Sequence, residues 1–258
     1  MFIGRLSVQL PRELDTMVKK LIDYEQKPKI GPWQRTLMQV ADDEKSNSID
    51  WIFEESRNKI VNEFIPVAYD TREIYLGQII SPERTKQLII DTLHEGALIL
   101  EYAGHGGADT WADEAILRIE SVPGFRNQHL PFIITTTCLN GQFDRPLRFG
   151  QRSLSEELMM GRYGAIGTLS ATRLTFASAN AAFDEDLFDS IFNVKPSTLG
   201  AIIGNAKIKF IASAVNSNRL RWVPGAEQYT LFGDPATKLA LPDLEIKVEL
   251  DEIALNAN

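Results

Sequence analysis

The chain has 258 residues, 44% of them hydrophobic, enough to bury a full core as one α/β domain or as one domain plus a fragment. Its formal net charge of -8 argues against nucleic acid or an anionic membrane as a primary partner. The longest apolar runs fall short of a membrane span, the opening Met1-Phe-Ile-Gly-Arg-Leu-Ser7 lacks the order of a signal peptide, and a lone cysteine, Cys138, excludes an internal disulfide.

Short apolar runs alternate with amphipathic segments, the pattern of βαβ units around a mostly parallel sheet. Phe2 to Val8 reads as a strand. A helix follows through Glu13 to Glu25, with Leu14, Met17, Val18, Leu21 and Ile22 on one face. Arg35 to Ala41 reads as a second strand, Asp42 to Ser48 as a polar loop, Ile49 to Asn62 as a helix and Phe64 to Tyr69 as a third strand. Ser81-Pro82 starts a helix, with Ser at the N-cap and Pro at the first helical position, and Gly96 ends it. Ala97 to Tyr102 is a strand, Ala112 to Ile119 a short helix, and Phe132 to Thr137 a further strand. Leu154 to Met160, Ala165 to Leu169, Ala179 to Phe192 and Thr198 to Ala214 continue as helix, strand, helix, helix. Gly233-Asp234-Pro235 is a turn before a last short strand at Lys238 to Ala240.

Two of these strands end in chemistry. Ala97 to Tyr102 runs into Gly104-His105-Gly106, and Phe132 to Thr137 runs into Cys138-Leu-Asn-Gly141. In an open α/β sheet, ligands bind beyond the carboxyl ends of the strands, and neighbouring strands lie about 4.8 Å apart. The thiol and the imidazole therefore share one edge, where the imidazole can take the thiol proton and leave a nucleophilic thiolate. The N–H groups of Gly106 and Cys138 are the obvious donors for an oxyanion. An isolated buried cysteine is more often structural than reactive, but the Asn140-Gly141 turn and the flanking glycines of His105 are features of a site. His94, His105, His129 and Cys138 have no recognised zinc-ligand spacing, and Gly104-His-Gly-Gly107 lacks the Gly-Lys-Ser/Thr ending of a phosphate-binding loop.

Tyr102-x-Gly-His-Gly106 with Trp111 shortly after, Leu130-Pro-Phe-Ile133 running into Cys138-x-Asn-Gly-x-Phe143, and Phe232-Gly-Asp-Pro235 together resemble the gingipain family of cysteine peptidases, which includes the type IX secretion sortase. Gly4-Arg5, Asp23-Tyr24-Glu25 and Val40-Ala41-Asp42-Asp43 occur in the order that family expects, so the resemblance covers nearly the whole chain. It implies a caspase-like fold, a mostly parallel sheet sandwiched between helices in three layers. It also implies hydrolysis of peptide bonds in a protein or peptide substrate through a thioacyl enzyme. Cys138 matches the nucleophile and His105 the general acid/base. Asp42, after Ala41, matches the family's third catalytic member, with Asp43 as the fallback. A capping or solvated turn carboxylate is the other reading of Asp42.

The resemblance extends to specificity, though with departures. Asp50 stands where members that cut after Arg or Lys carry the carboxylate for the substrate cation, and it reads equally as an acid at a helix N-terminus. Phe176 stands near the position of a pocket-lining Trp. The family also implies export to the cell surface, periplasm or medium, and bound calcium; the chemistry itself requires no cofactor. The acid-rich loop 42–50 does not match the EF-hand pattern. Residues 1–242 read as the peptidase domain without most of the family's N-terminal subdomain, and 243–258 as an extension whose Leu244 to Leu250 is a candidate first strand of an immunoglobulin-like domain. The competing class is a non-catalytic module that binds peptides or partners on the same framework. Oligomeric state is not legible.

Overall fold

The computed structural model describes residues 1–27, 29–43, 51–144 and 152–242. Its strands are β1 (Thr36–Ala41), β2 (Asp70–Tyr75), β3 (Ile99–Ala103), β4 (Thr110–Trp111), β5 (Leu117–Arg118), β6 (Phe132–Thr136), β7 (Gly167–Ala171) and β8 (Tyr229–Phe232). Its helices are α1 (Pro11–Gln26), α2 (Ile52–Lys59), α3 (Leu76–Ile79), α4 (Pro82–Glu95), α5 (Leu154–Met160), α6 (Ala177–Asp189), α7 (Leu199–Asn216) and α8 (Val223–Gln228). Six strands form one sheet in the order β2-β1-β3-β6-β7-β8, parallel except for β8, which runs antiparallel to β7.

β1, β3 and β6 are near-continuous apolar runs because both faces of the sheet are covered. Met38, Val40, Leu100, Tyr102 and Ile133 face one layer with Ile89 and Leu93 of α4 and Leu154 and Leu158 of α5. Leu37, Ile99, Phe132, Ile134 and Leu169 face the other with Phe183 and Leu187 of α6 and Ile202 and Phe210 of α7. The result is the expected three-layer α/β sandwich. The predicted start and stop of α4 hold: Ser81 Oγ accepts from Arg84 N at 3.2 Å, and Gly96 leaves the helix at φ 107°.

Several elements differ from expectation for identifiable reasons. Phe2 to Val8 is not a strand; Arg5 alone forms a parallel bridge to Phe232 beside β8. In α1 only Met17, Lys20 and Leu21 are buried, while Leu14, Val18 and Ile22 remain exposed, so the buried stripe is narrower than the apolar pattern. The third strand is Asp70–Tyr75 rather than Phe64 to Tyr69, because α2 runs on through a wide turn at Ile60–Phe64 and Tyr69 N closes a turn on Pro66 O at 3.0 Å. Ala112 to Ile119 is a hairpin of β4 and β5, not a helix: Ala112 and Ala115 have φ of 58° and 57°, incompatible with a right-handed helix. The closing strand is Tyr229–Phe232; at Lys238 to Ala240 a tight turn, Leu241 N to Leu239 O at 2.7 Å, replaces ladder bonds. Residues 243–258, with the segment Leu244 to Leu250, lie outside the described residues.

One polar cluster sits inside the sandwich. Arg57 of α2 pairs with Glu101 of β3 and Asp184 of α6, and all three side chains are sealed from solvent. Two carboxylates against one guanidinium leave excess negative charge, and burial first, then the Glu101 charge, hold the Asp184 carboxyl well above the usual range. Removing one partner strands a buried charge, whereas replacing the set with apolar groups does not. Arg57→Met is therefore expected to lower unfolding free energy by about 3–5 kcal/mol in urea titrations. The triple variant Arg57→Met, Glu101→Leu, Asp184→Leu is expected to recover most of that loss.

Candidate active site

The register of the central strands assembles the site. Ala41 pairs with Ala103 and Ala103 with Thr136, so β1, β3 and β6 stop level with one another. Asp42 follows the first, His105 lies two residues beyond the second, and Cys138 two beyond the third. An acid, an imidazole and a thiol thus stand in a row on the carboxyl edge. The Asp42 N–H continues the ladder to Ala103 O at 2.9 Å.

Asp42 is almost wholly buried. Its Oδ2 accepts from the backbone N–H of His105 at 2.9 Å and its Oδ1 from Asp43 N at 2.9 Å, while the Tyr102 hydroxyl, 3.4 Å from Oδ2, donates to His105 O at 2.5 Å. Burial pushes its carboxyl up to about 6, against the lowering pull of the two N–H donors and of His105. These contacts fix the loop that carries the imidazole through its backbone. Gly104 allows this closeness, since a Cβ there would strike the Tyr102 hydroxyl and Asp42 Cβ. The imidazole meets the ring of Phe53 on α2 edge-on, with centroids 5.2 Å apart and planes at 85°.

The His105 and Cys138 loops are pressed together and tied. A Cβ on Gly106 would lie 2.6 Å from Thr137 Oγ1, so only glycine fits against the residue preceding the cysteine. Gly106 forms a bridge with Trp111 in which His105 O accepts from Ala112 N at 2.9 Å and Gly107 N donates to Thr110 O at 3.1 Å; the bridge does not use the Gly106 N–H. Asn140, fully buried, spans the two loops. Its Oδ1 accepts from Trp111 Nε1 at 2.6 Å, and its Nδ2 donates to Thr110 O at 3.1 Å and to Gly107 O. Between Cys138 and Asn140, Leu139 takes φ 64°, a strained value for a non-glycine residue and one that reverses the chain directly beside the thiol. Cys138 Sγ is half-buried and accepts from Thr175 N at 3.3 Å.

Of the residues expected from sequence, Asp42, Asp43, His105, Gly106 and Cys138 are brought to this edge. Phe176 is there as well, at the start of α6 beside Thr175, with 63% of its surface exposed. Asp50 lies outside the described residues. Phe53, Thr175 and Glu114 are not legible as site residues in the sequence, and Asn140 enters there as a turn residue and as part of the Cys138-x-Asn-Gly-x-Phe143 motif. Asn140 was traceable, since an Asn buried two residues after a site cysteine needs partners for all its polar atoms. Glu114, in a hairpin tip expected as helix, had no such signal. One oxygen each of Asp42, Asp43 and Glu114 lie within 4.8 Å of one another, the oxygen-only donor set that a hard cation such as calcium takes. Both Asp42 oxygens already accept N–H bonds.

A model of peptidase family C25 matches residues 1–240. The chain belongs to peptidase family C25. It is 23% identical over 242 residues to gingipain R2 of Porphyromonas gingivalis, covering 91% of this chain and 32% of that protein. Lys-gingipain HG66 of the same organism is 22% identical over 231 residues, covering 86% and 12%. The chain thus spans about a third or less of the curated relatives it matches. The crystal structure of the Arg-specific cysteine proteinase gingipain R superposes with a TM-score of 0.74 at 21% identity, over 92% of this chain and 55% of that one. The Saccharomyces cerevisiae separase–securin complex superposes at 0.55 with 14% identity, over 84% and 13%. The sandwich is therefore the C25 fold.

Two outcomes are expected. Asn140→Ala leaves Trp111 Nε1 without its acceptor and takes the side-chain donor from Gly107 O and from Thr110 O, which keeps Gly107 N, and should lower unfolding free energy by about 3 kcal/mol in denaturant titrations. For Asp42, the folded state retains a proton that the unfolded chain has lost between pH 3.8 and about 6, so stability falls as pH rises through that window. A shift of about two units corresponds to roughly 3 kcal/mol. Asp42→Asn removes this dependence, so its melting temperature relative to the parent should climb from pH 4 to pH 7, whatever its offset at pH 4.

Proposed function

We propose that the chain is the catalytic unit of a cysteine endopeptidase, with Cys138 as nucleophile, His105 as general acid/base and Asp42 as the acid that holds and charge-stabilises the His105 loop. The observation that carries this reading is the level ending of three adjacent parallel strands in acid, imidazole and thiol. C25 membership supports it, and gives the non-catalytic module no comparable support.

In this mechanism His105 takes the Cys138 proton, and the thiolate attacks the scissile carbonyl carbon of a protein or peptide substrate. The oxyanion is met by the N–H groups of Gly106 and Cys138, fixed before the substrate arrives by the Trp111 bridge and the Asn140 ties. His105 gives its proton to the leaving amine, and a thioester remains. Water then attacks the thioester as His105 accepts its proton, releasing the carboxylic acid and restoring the thiol. Phe176 is assigned to the substrate pocket as an apolar wall. The chemistry needs no cofactor; structural calcium would draw on the carboxylates of Asp42, Asp43 and Glu114 beside His105 to stabilise the loops. The family resemblance also supports action outside the cytoplasm, and no described helix is long and apolar enough to cross a membrane.

The test is hydrolysis of a quenched fluorescent casein by the parent chain, Cys138→Ala and His105→Ala, with circular dichroism to check folding. Cleavage by the parent, abolished in Cys138→Ala and reduced at least about 100-fold in His105→Ala, is the expected result. Carbamidomethylation of Cys138 at pH 6.5 should slow in His105→Ala in parallel. Cleavage that persists in folded Cys138→Ala overturns the assignment.

A further inference from the structure

At the opposite edge of the sheet lies a cavity of about 610 Å³, within the range of small-molecule sites. It is walled by α1 and by the segments entering β1, β6 and β7, marked by Trp33, Leu130 and Tyr163. These are the amino ends of strands, two of which end, at the far edge, near Asp42 and Cys138. A five-residue strand spans roughly 16 Å, so an occupant of this cavity does not reach the thiol.

The charge of this cavity runs against that of the chain. Lys19, Lys20, Lys27, Lys29 and Arg162 line it, with Asp23 as the only carboxylate in its wall among the described residues, in a chain of net charge -8. Asp23 is taken by Lys27 at 3.0 Å, and among the described residues no carboxylate answers Lys19, Lys29 or Arg162, all of which are exposed. Lys20 lies buried beneath, where burial lowers its pKa to about 7, so it adds less charge than the others; its Nζ donates to Gly161 O at 3.0 Å and to Met159 O at the end of α5. Like charges gathered in a concavity repel one another, and a multivalent anion relieves that repulsion.

The walls are preformed. Trp33 stacks on His129 at 4.8 Å with planes 17° apart, and its Nε1 donates to Lys29 O at 2.6 Å, which anchors the loop that presents Lys29. Asn127, fully buried, donates to His129 O at 2.9 Å and to Gly164 O at 3.2 Å, joining the segments that enter β6 and β7. What binding must still order is the exposed Lys and Arg side chains, not the walls that carry them.

We propose that this cavity is a binding site for a compact polyanion, a ligand carrying two or more carboxylate or phosphate groups, separate from the cysteine edge. The test is isothermal titration of the full chain with inorganic tripolyphosphate and, separately, with citrate. Saturable one-to-one binding of at least one is expected, weakened at least about tenfold in the double variant Lys19→Glu, Lys29→Glu and in Arg162→Glu, and unchanged in Arg84→Glu on distant α4. These side chains are exposed, so melting temperatures should stay near the parent's. Tighter binding of tripolyphosphate assigns the site to phosphate esters, and tighter binding of citrate to carboxylates. Absence of saturable binding by both probes, or an equal loss in Arg84→Glu, overturns the proposal.

Discussion

Everything at the cysteine edge depends on one constraint, the shared register of β1, β3 and β6. Because Ala41, Ala103 and Thr136 lie level, the chain leaves the sheet three times at the same height. A shift of one residue in any of these strands would turn every side chain to the other face and exchange the two apolar layers. The register is therefore held by burial on both faces rather than by the loops, which inherit their positions from it. Asp42, His105 and Cys138 are brought to one edge by the register alone, before any contact between their loops.

What the loops add is angular precision. Asp42 reaches the His105 backbone, Gly106 is pressed on Thr137, and Asn140 hydrogen-bonds into the loop after His105. The imidazole has a further support from below, since Phe53 and Arg57 lie one turn apart on α2. Arg57 fixes that helix to β3 and α6 through Glu101 and Asp184. An ion cluster of this kind seldom adds net stability over an apolar core. Here it sets where α2 sits, and with it the Phe53 ring against His105.

The fold class, the helices α4 to α7 and the strands that deliver His105 and Cys138 were legible because fully buried strands and capped helices leave strong local patterns. The rest failed where local pattern and tertiary context disagree. Asp70–Tyr75 is an edge strand, half polar, and looked less like a strand than the apolar stretch before it. Tyr229–Phe232 is four residues long and gains its strand character from pairing with β7 and from the bridge to Arg5. The β4–β5 hairpin depends on Trp111 being held by Asn140, a contact between residues 29 apart that no periodicity records. Phe53 and Glu114 were invisible for the same reason: each reaches the site by the path of the chain in space, not by its neighbours in sequence.

The two edges of the sheet carry opposite electrostatic designs. At the carboxyl edge the carboxyl groups of Asp42, Asp43 and Glu114 crowd together. At the amino edge the lysines of α1 and its following loop meet Arg162 around a concavity. Helices flanking parallel strands run antiparallel to them, so their positive ends gather at the carboxyl edge and their negative ends at the amino edge. The side-chain charges at each edge are opposite to the adjacent backbone dipoles. Lys20, its pKa lowered to about 7 by burial, caps the last carbonyls of α5 by hydrogen bonds as much as by charge. Only part of the cationic charge is used this way. Lys19, Lys29 and Arg162 cap no helix end and pair with no carboxylate among the described residues, so the demands of the fold leave them over, and an anion from outside is the partner they suit.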